Sequence, residues 1–222
     1  MAYINASGKL YTIGYSGFTI NTFIEKINLF NINCIIDVRS CPYSKRFEEF
    51  NKENLEYLVK NRDLWKNKKI WYLHLPKEFG ARQTDPLYFH EKEKYVDFEK
   101  FRSSQYFLEG CERIKKGLSQ GYNSVLICAE IEPIHCHRSI MISRWFDLHK
   151  YKVLHILPDG IKDQESVNNE LLKKYFKDEY AENGFTGSLL DMDKSAEELR
   201  KERLREAFAK RNREIAFRVT EG

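Results

Sequence analysis

The chain has 222 residues, 37 basic and 33 acidic, for a formal charge of +4, and 42% of its residues are hydrophobic. This length suits one domain with an extension better than two full domains. The mild basicity permits an anionic partner but lacks the concentrated basic face of a nucleic-acid binder. Five cysteines (Cys34, Cys41, Cys111, Cys128, Cys136) are odd in number and irregular in spacing, which speaks for reduced thiols in a cytoplasm and against a disulfide framework. The first residues lack the pattern of a signal peptide, and no apolar run reaches the ~18 residues of a membrane span.

Short apolar runs alternate with helix-period segments. Leu10 to Gly14 predicts a first strand. Thr22-Phe23-Ile24-Glu25 has the form of a capping box, on a helix whose stripe is Ile20, Phe23, Ile24, Ile27 and Phe30. Cys34 to Val38 predicts a second strand, nearly all apolar, as expected when both sheet faces are covered. Asn51 can cap a helix carrying Leu55, Leu58 and Val59. Ile70 to Leu75 predicts a third strand, followed by a polar loop from Pro76 to about Asp97. Phe107, Cys111, Ile114 and Leu118 mark a helix that ends at Gly121. Ser124 to Ala129 predicts a fourth strand, Ser139 to Lys150 a buried helix, and Lys152 to Leu157 a fifth strand stopped by Pro158-Asp159-Gly160. The alternation implies an α/β fold with a three-layer, doubly wound, mostly parallel sheet of about five strands over residues 1–160. Residues 161–222 read as a helical C-terminal extension, with helices from Val167 to about Tyr180 and from about Ser195 to Ala216. The second is highly charged, with a thin apolar face of Leu204, Phe208, Ile215 and Val219 and i,i+4 pairs Glu197–Lys201 and Glu206–Lys210.

Ligands of open parallel sheets bind beyond the carboxyl ends of the strands. Here that edge gathers Gly14-Tyr15-Ser16-Gly17, Asp37-Val38-Arg39-Ser40, His74, Cys128-Ala129-Glu130 and the run His135-Cys136-His137-Arg138. Three meanings stay open for this run. An anion site would use the helix N-terminus with Arg39 and Arg138. Cys128 or Cys136 would then be the nucleophile, and Glu130 or His137 would move protons. A metal site would use Cys128, His135, Cys136 and His137, although the spacing matches neither C-x-x-C nor H-x-x-x-H. A structural cluster would have His137 capping backbone groups and Arg138 paired with Asp37, with the cysteines merely packing. Nine residues separate Cys128 from Arg138, and only one separates Cys136 from it. Neither spacing forms the tight anion-cradling loop of thiolate phosphatases.

Thr12-Ile13-Gly14-Tyr15-Ser16, Asp37-Val38-Arg39-Ser40 with Phe50-Asn51-Lys52, His74-Leu75-Pro76 with Phe79-Gly80-Ala81-Arg82, and Cys128-x-Glu130 with Cys136-His137-Arg138 together resemble the signature of the domain of unknown function 488 family. The resemblance runs from about Leu10 to Gly160. It implies a Rossmann-like fold and supplies no reaction. Tyr15 stands where the family pattern has His, and Ala81 where it has a second Gly.

The leading expectation is an enzyme acting on a small anionic or nucleotide-like substrate. Cys128, Glu130, Cys136 and His137 would do the chemistry, and Ser16, Asp37, Arg39, His74, Arg82 and Arg138 would bind. The alternatives are a nucleic-acid-associated protein, using Lys66, Lys68 and Lys69 beside Trp65 and Trp71 with Arg200, Lys201, Arg203 and Arg205 of the tail, and a non-catalytic ligand-binding or interaction module whose output surface is the C-terminal helices.

Overall fold

The computed structural model describes residues 3–177, 179–181, 184–185 and 194–219. Five strands are parallel: β1 (Leu10–Gly14), β2 (Cys34–Asp37), β3 (Trp71–His74), β4 (Ser124–Cys128) and β5 (Val153–Leu157). A sixth, β6 (Gly160–Asp163), pairs antiparallel with β5, and the order is β3-β2-β4-β1-β5-β6. The sequence predicts about five strands because Pro158-Asp159-Gly160 reads as a stop. It is instead a hairpin turn, with Leu157 opposite Gly160. β1, β2 and β4 are buried along their whole length, which explains their unbroken apolar character.

The helices divide by face. α1 (Ile20–Leu29) and α2 (Lys52–Leu58) cover one side of the sheet, where Phe23, Ile27 and Leu55 pack with Ile13, Ile35 and Ile127. In the middle of the chain lie α3 (Pro76–Phe79), α4 (Phe98–Arg102) and α5 (Gln105–Ser119). They are followed by α6 (Arg144–Leu148), α7 (Gln164–Tyr175) and α8 (Ala196–Ile215). Phe79, Phe101, Phe107, Phe146, Leu171 and Phe208, from these six helices, share the opposite core with Leu10, Ile36 and Leu126. The chain therefore winds outward from β1 through β2 to β3 over one face. It returns over the other to β4, which inserts between β2 and β1, and then crosses to β5. That reversal opens a crevice at the carboxyl ends of β1, β2 and β4.

Several boundaries differ from expectation for identifiable reasons. α1 starts one turn early. The Thr22 amide donates to Thr19 Oγ1 (3.2 Å) and the Thr19 amide to Thr22 Oγ1 (3.0 Å), so a hydroxyl does the work expected of Glu25. The Asn51 side chain does not cap α2; its Oδ1 accepts from the Ser44 amide instead (2.6 Å). The polar segment after Leu75 contains α3 and a bridge between Phe89 and Val96. The helix expected from Ser139 opens as a wide π turn, Arg138–Ser143, and Ser143 Oγ donates to the Arg138 carbonyl at its start (2.9 Å). α8 is docked. Leu199, Leu204, Ala207 and Phe208 are buried, and the Asn212 amide closes on the Phe98 amide (2.8 Å) and the Val96 carbonyl (2.9 Å). The two expected i,i+4 pairs form, at 3.0 and 2.8 Å, whereas Val219 is exposed. Among the described residues, no helix is long and apolar enough to cross a membrane.

A polar ladder crosses the otherwise dry core. Thr12 Oγ1 lies 2.8 Å from His155 Nδ1, and His155 Nε2 lies 3.0 Å from Gln164 Oε1. Thr12 also accepts from Arg138 Nε (3.2 Å), so its own proton points to His155, whose Nε2–H donates to Gln164. Burial first, then repulsion by Arg138, pushes His155 down to about 3. The unfolded chain thus takes up this proton near pH 6.5 and the folded chain does not. The contribution is intact above that pH and declines as pH falls toward 3. Urea denaturation should show wild type losing about 2 kcal/mol more than His155→Gln between pH 7 and pH 5; parallel pH profiles would refute this.

Candidate active site

The carboxyl ends of β1 and β4 lie side by side, with Gly14 opposite Cys128. The chain after β4 folds back over β1. A Cβ on Gly14 would sit 1.8 Å from the Glu130 carbonyl oxygen, so only glycine permits this approach. Ser16 fastens the same seam, its amide (3.1 Å) and its hydroxyl (2.6 Å) both donating to the Ala129 carbonyl. Arg138 lies beneath the fold and is wholly buried. Its Nη1 donates to the Glu130 carbonyl (2.5 Å), Nη2 to the Ile131 carbonyl (2.8 Å) and Nε to Thr12.

This backbone path brings together four of the expected chemical groups. Glu130 Oε2 accepts from Cys128 Sγ at 3.1 Å and from Cys136 Sγ at 3.0 Å. His137 Nδ1 lies 3.7 Å from Cys128 Sγ and 3.8 Å from Cys136 Sγ. His137 Nε2 is 3.1 Å from the Val38 carbonyl, which can only accept, so Nε2 carries a proton, and Nδ1 is the ring atom that faces the sulfurs, with a free lone pair whenever the ring is neutral. Both thiols and His137 are buried, whereas Glu130 is exposed and forms the solvent side of the cluster. The Cys128, Cys136 and His137 ligand atoms all lie within 4.8 Å of one another.

The protons of the cluster are shared. Burial opposes ionisation of Cys136, but the Cys128 S–H, the Arg138 guanidinium and His137 together hold its thiol well below the ordinary range. Cys128 is pushed up, first by its hydrogen bond to Cys136 and then by burial. Although Glu130 as a residue is exposed, its carboxylate is turned onto the buried thiols, and this desolvation, followed by the Cys136 charge, raises it. For His137, burial pulls down, but Cys136 and Glu130 outweigh it and raise the ring.

The residues expected to bind substrate have other partners. Asp37 is a buried counterion: its carboxylate takes Arg39 Nε (2.8 Å) and Nη2 (2.5 Å) and the Tyr72 hydroxyl (2.6 Å). Arg39 also donates to the Phe50 carbonyl (2.8 Å) and packs its guanidinium over the Tyr15 ring, while its buried Nη1 has no hydrogen-bond partner. His74 Nε2 donates to the Arg39 carbonyl (2.9 Å). Arg82 is exposed, with its guanidinium over Phe217. Arg138 does not pair with Asp37. His135, included in the expected metal set, lies outside the cluster: it is exposed, and its Nδ1 accepts from Arg211 of α8 (2.7 Å). Of the residues weighed for nucleic-acid contact, Trp65 is buried and donates to the Leu58 carbonyl (3.0 Å); Trp71 is exposed beneath Lys69.

Sequence reasoning passed over Thr12, Tyr72, His155 and the Val38 carbonyl. For Thr12 and His155 the signal was present, since a polar residue inside an apolar central strand needs a buried partner. The Val38 carbonyl has no side-chain signature.

Among known proteins, the model of the family described as Domain of unknown function DUF488 matches residues 19–145. The match includes Asp37, Arg39 and the whole Cys128–Arg138 stretch, and leaves β1 and the C-terminal helices outside it. No curated protein and no solved structure matches the chain.

Arg138→Ala would leave two carbonyls and a hydroxyl facing a cavity. We expect a loss of at least ~3 kcal/mol in urea denaturation, together with faster alkylation of the buried thiols. Arg138→Lys should recover less than half of that, because one ammonium cannot bridge both carbonyls. A cost for alanine below ~1 kcal/mol, a surface-like value, would contradict the pinning role.

Proposed function

The chain belongs to the domain of unknown function DUF488 family, and because that membership carries no reaction, we propose one from the cluster itself: a hydrolytic enzyme that works through a zinc-class metal ion on a small anionic substrate. Cys128, Cys136 and His137 are the ligands, and Glu130 is the general acid and base. The observation that carries the reading is the convergence of two sulfurs and one imidazole nitrogen, with the other ring nitrogen donating to the Val38 carbonyl. Tetrahedral zinc bound by thiolate and imidazole separates those ligand atoms by roughly 3.6 Å, from bond lengths near 2.3 and 2.1 Å. The sulfur–nitrogen distances of 3.7 and 3.8 Å fit that spacing. A carbonyl orienting the distal N–H is the usual outer partner of a metal-binding histidine.

Three protein ligands with a carboxylate on the solvent side suit water activation better than a closed structural centre. Cys128, Cys136 and His137 would hold the ion, which would supply Lewis-acid activation of water, and Glu130, on the solvent side of the three, would take a proton and return it to a leaving group. A free thiolate nucleophile is the weaker reading, because both sulfurs are buried and reactive cysteines sit partly exposed. Substrate charge would be met by Arg39, whose unpartnered Nη1 begins one residue beyond the carbonyl that holds His137.

Mass spectrometry of protein purified without added metal or chelator should find about one zinc-class ion per chain. Cys136→Ser should lose it, whereas Glu130→Gln should keep it and lose hydrolytic turnover. Wild-type protein that carries no stoichiometric metal and is not stabilised by added zinc would sink the proposal.

A further inference from the structure

Away from the thiol cluster, α4, α6 and α8 enclose a cavity of about 490 Å³. Four cations line it: Arg102 from α4, Arg144 from α6, and Lys201 and Arg205 from α8. Two carboxylates face them. Asp97 is engaged as the N-cap of α4, receiving the Glu99 (2.9 Å) and Lys100 (3.2 Å) amides. Glu99 is paired with Arg205 at 3.0 Å on an exposed surface, where such a bond is worth little. Lys201 has an equally exposed partner in Glu197 at 3.0 Å. Arg144 reaches Asp147 at 3.6 Å, but that carboxylate also accepts from Asn168.

Arg102 is the anomaly. Its Nη1 is enclosed with no hydrogen-bond partner, and no carboxylate bridges it among the described residues. A buried, unpaired guanidinium nitrogen is costly, and two arginines converging on one cavity add repulsion. Both carry that cost. Burial pulls Arg102 down and Arg205 adds to it; burial pulls Arg144 down to about 10, with Arg102 and Arg200 adding to it. Arg144 is also stacked on Phe208, 4.4 Å from the ring centroid, which keeps it in place facing the cavity. Proteins retain such an arrangement where an anion completes it.

We propose that this cavity binds the phosphate group of a small phosphorylated molecule. Forked guanidinium donors match tetrahedral phosphate oxygens, and a phosphomonoester brings close to two negative charges. The volume lies within the range of small-molecule sites. The cavity is recessed between three helices, and acidic residues interleave α8, which sets it apart from the extended basic face that a nucleic acid requires. Arg102 and Arg144 lie within the family-matched span, whereas Lys201 and Arg205 lie outside it, so the site is completed by the C-terminal helix.

Thermal unfolding at constant ionic strength tests this with inorganic phosphate and adenosine monophosphate as probes. We expect a saturable rise in Tm with one or both at millimolar concentration. Phosphate alone would indicate a free-anion site, and tighter binding of the nucleotide a site for the larger molecule. Arg102→Gln should weaken either probe at least tenfold, and without probe it should unfold no earlier than wild type, since it removes an unpaired buried cation. Should that variant fail to fold, Lys201→Gln combined with Arg205→Gln, on the exposed helix face, is expected to weaken the probe to the same extent. No saturable shift with either probe, a shift that equal ionic strength of chloride reproduces, or one that survives these substitutions overturns the proposal.

Discussion

Arg138 is a full guanidinium sealed in the interior, and a buried cation is tolerated only if its donors are met. It meets them by drawing the Glu130 and Ile131 carbonyls inward and by reaching Thr12 in β1. The segment after β4 must therefore fold back across β1, tightly enough that Gly14 has no room for a side chain. The wide turn from Arg138 to Ser143 is part of the same accommodation, with its first carbonyl capped by Ser143. The Thr12–His155–Gln164 ladder continues the chain of donors to α7 and keeps the histidine neutral beside the guanidinium.

The cluster follows from that fold-back. With Glu130 turned over the crevice, its carboxylate meets both thiols, and Cys136 and His137 arrive opposite Cys128. A second arginine, Arg39, serves a parallel purpose at the end of β2, where the Asp37 carboxylate, itself fixed by Tyr72, and the Phe50 carbonyl hold its Nε and Nη2. The strand-end arginines are thus largely internal supports, and the site they support is rich in soft ligands and poor in free positive charge. Between α4, α6 and α8 four cations gather instead, three with exposed or shared carboxylate partners and Arg102 with an unpartnered Nη1. The proposed metal centre and the proposed anion site are separate places in the fold, and α8 touches the surroundings of both. Arg211 holds the Ile134 carbonyl and His135 beside the first, and Lys201 and Arg205 line the second.

Read from residues alone, much of this architecture is accessible. Strands buried on both faces announce themselves as continuous apolar runs, and β1, β2 and β4 do so. β6 does not, since an edge strand has no apolar run and follows a turn that looks like an ending. The rule that parallel sheets bind at their carboxyl edge correctly selected Cys128, Glu130, Cys136 and His137 as neighbours, because register and strand direction determine which residues share an end. It could not separate His135 from His137, which are two positions apart. Their fates are set by α8, which claims the first, and by the Val38 carbonyl, which claims the second.

By itself, then, the sequence determined the periodicities, the strand ends and the set of chemically capable side chains, since these depend on local spacing. The tertiary structure alone decided how each polar group is used. An arginine in a sequence is equally a substrate ligand or a strut, and which one it becomes depends on whether distant carbonyls and carboxylates reach it before solvent or a ligand can. Arg138 was reached by such groups at all three of its nitrogens, Arg39 at Nε and Nη2 but not at Nη1, and the Nη1 of Arg102 was not reached.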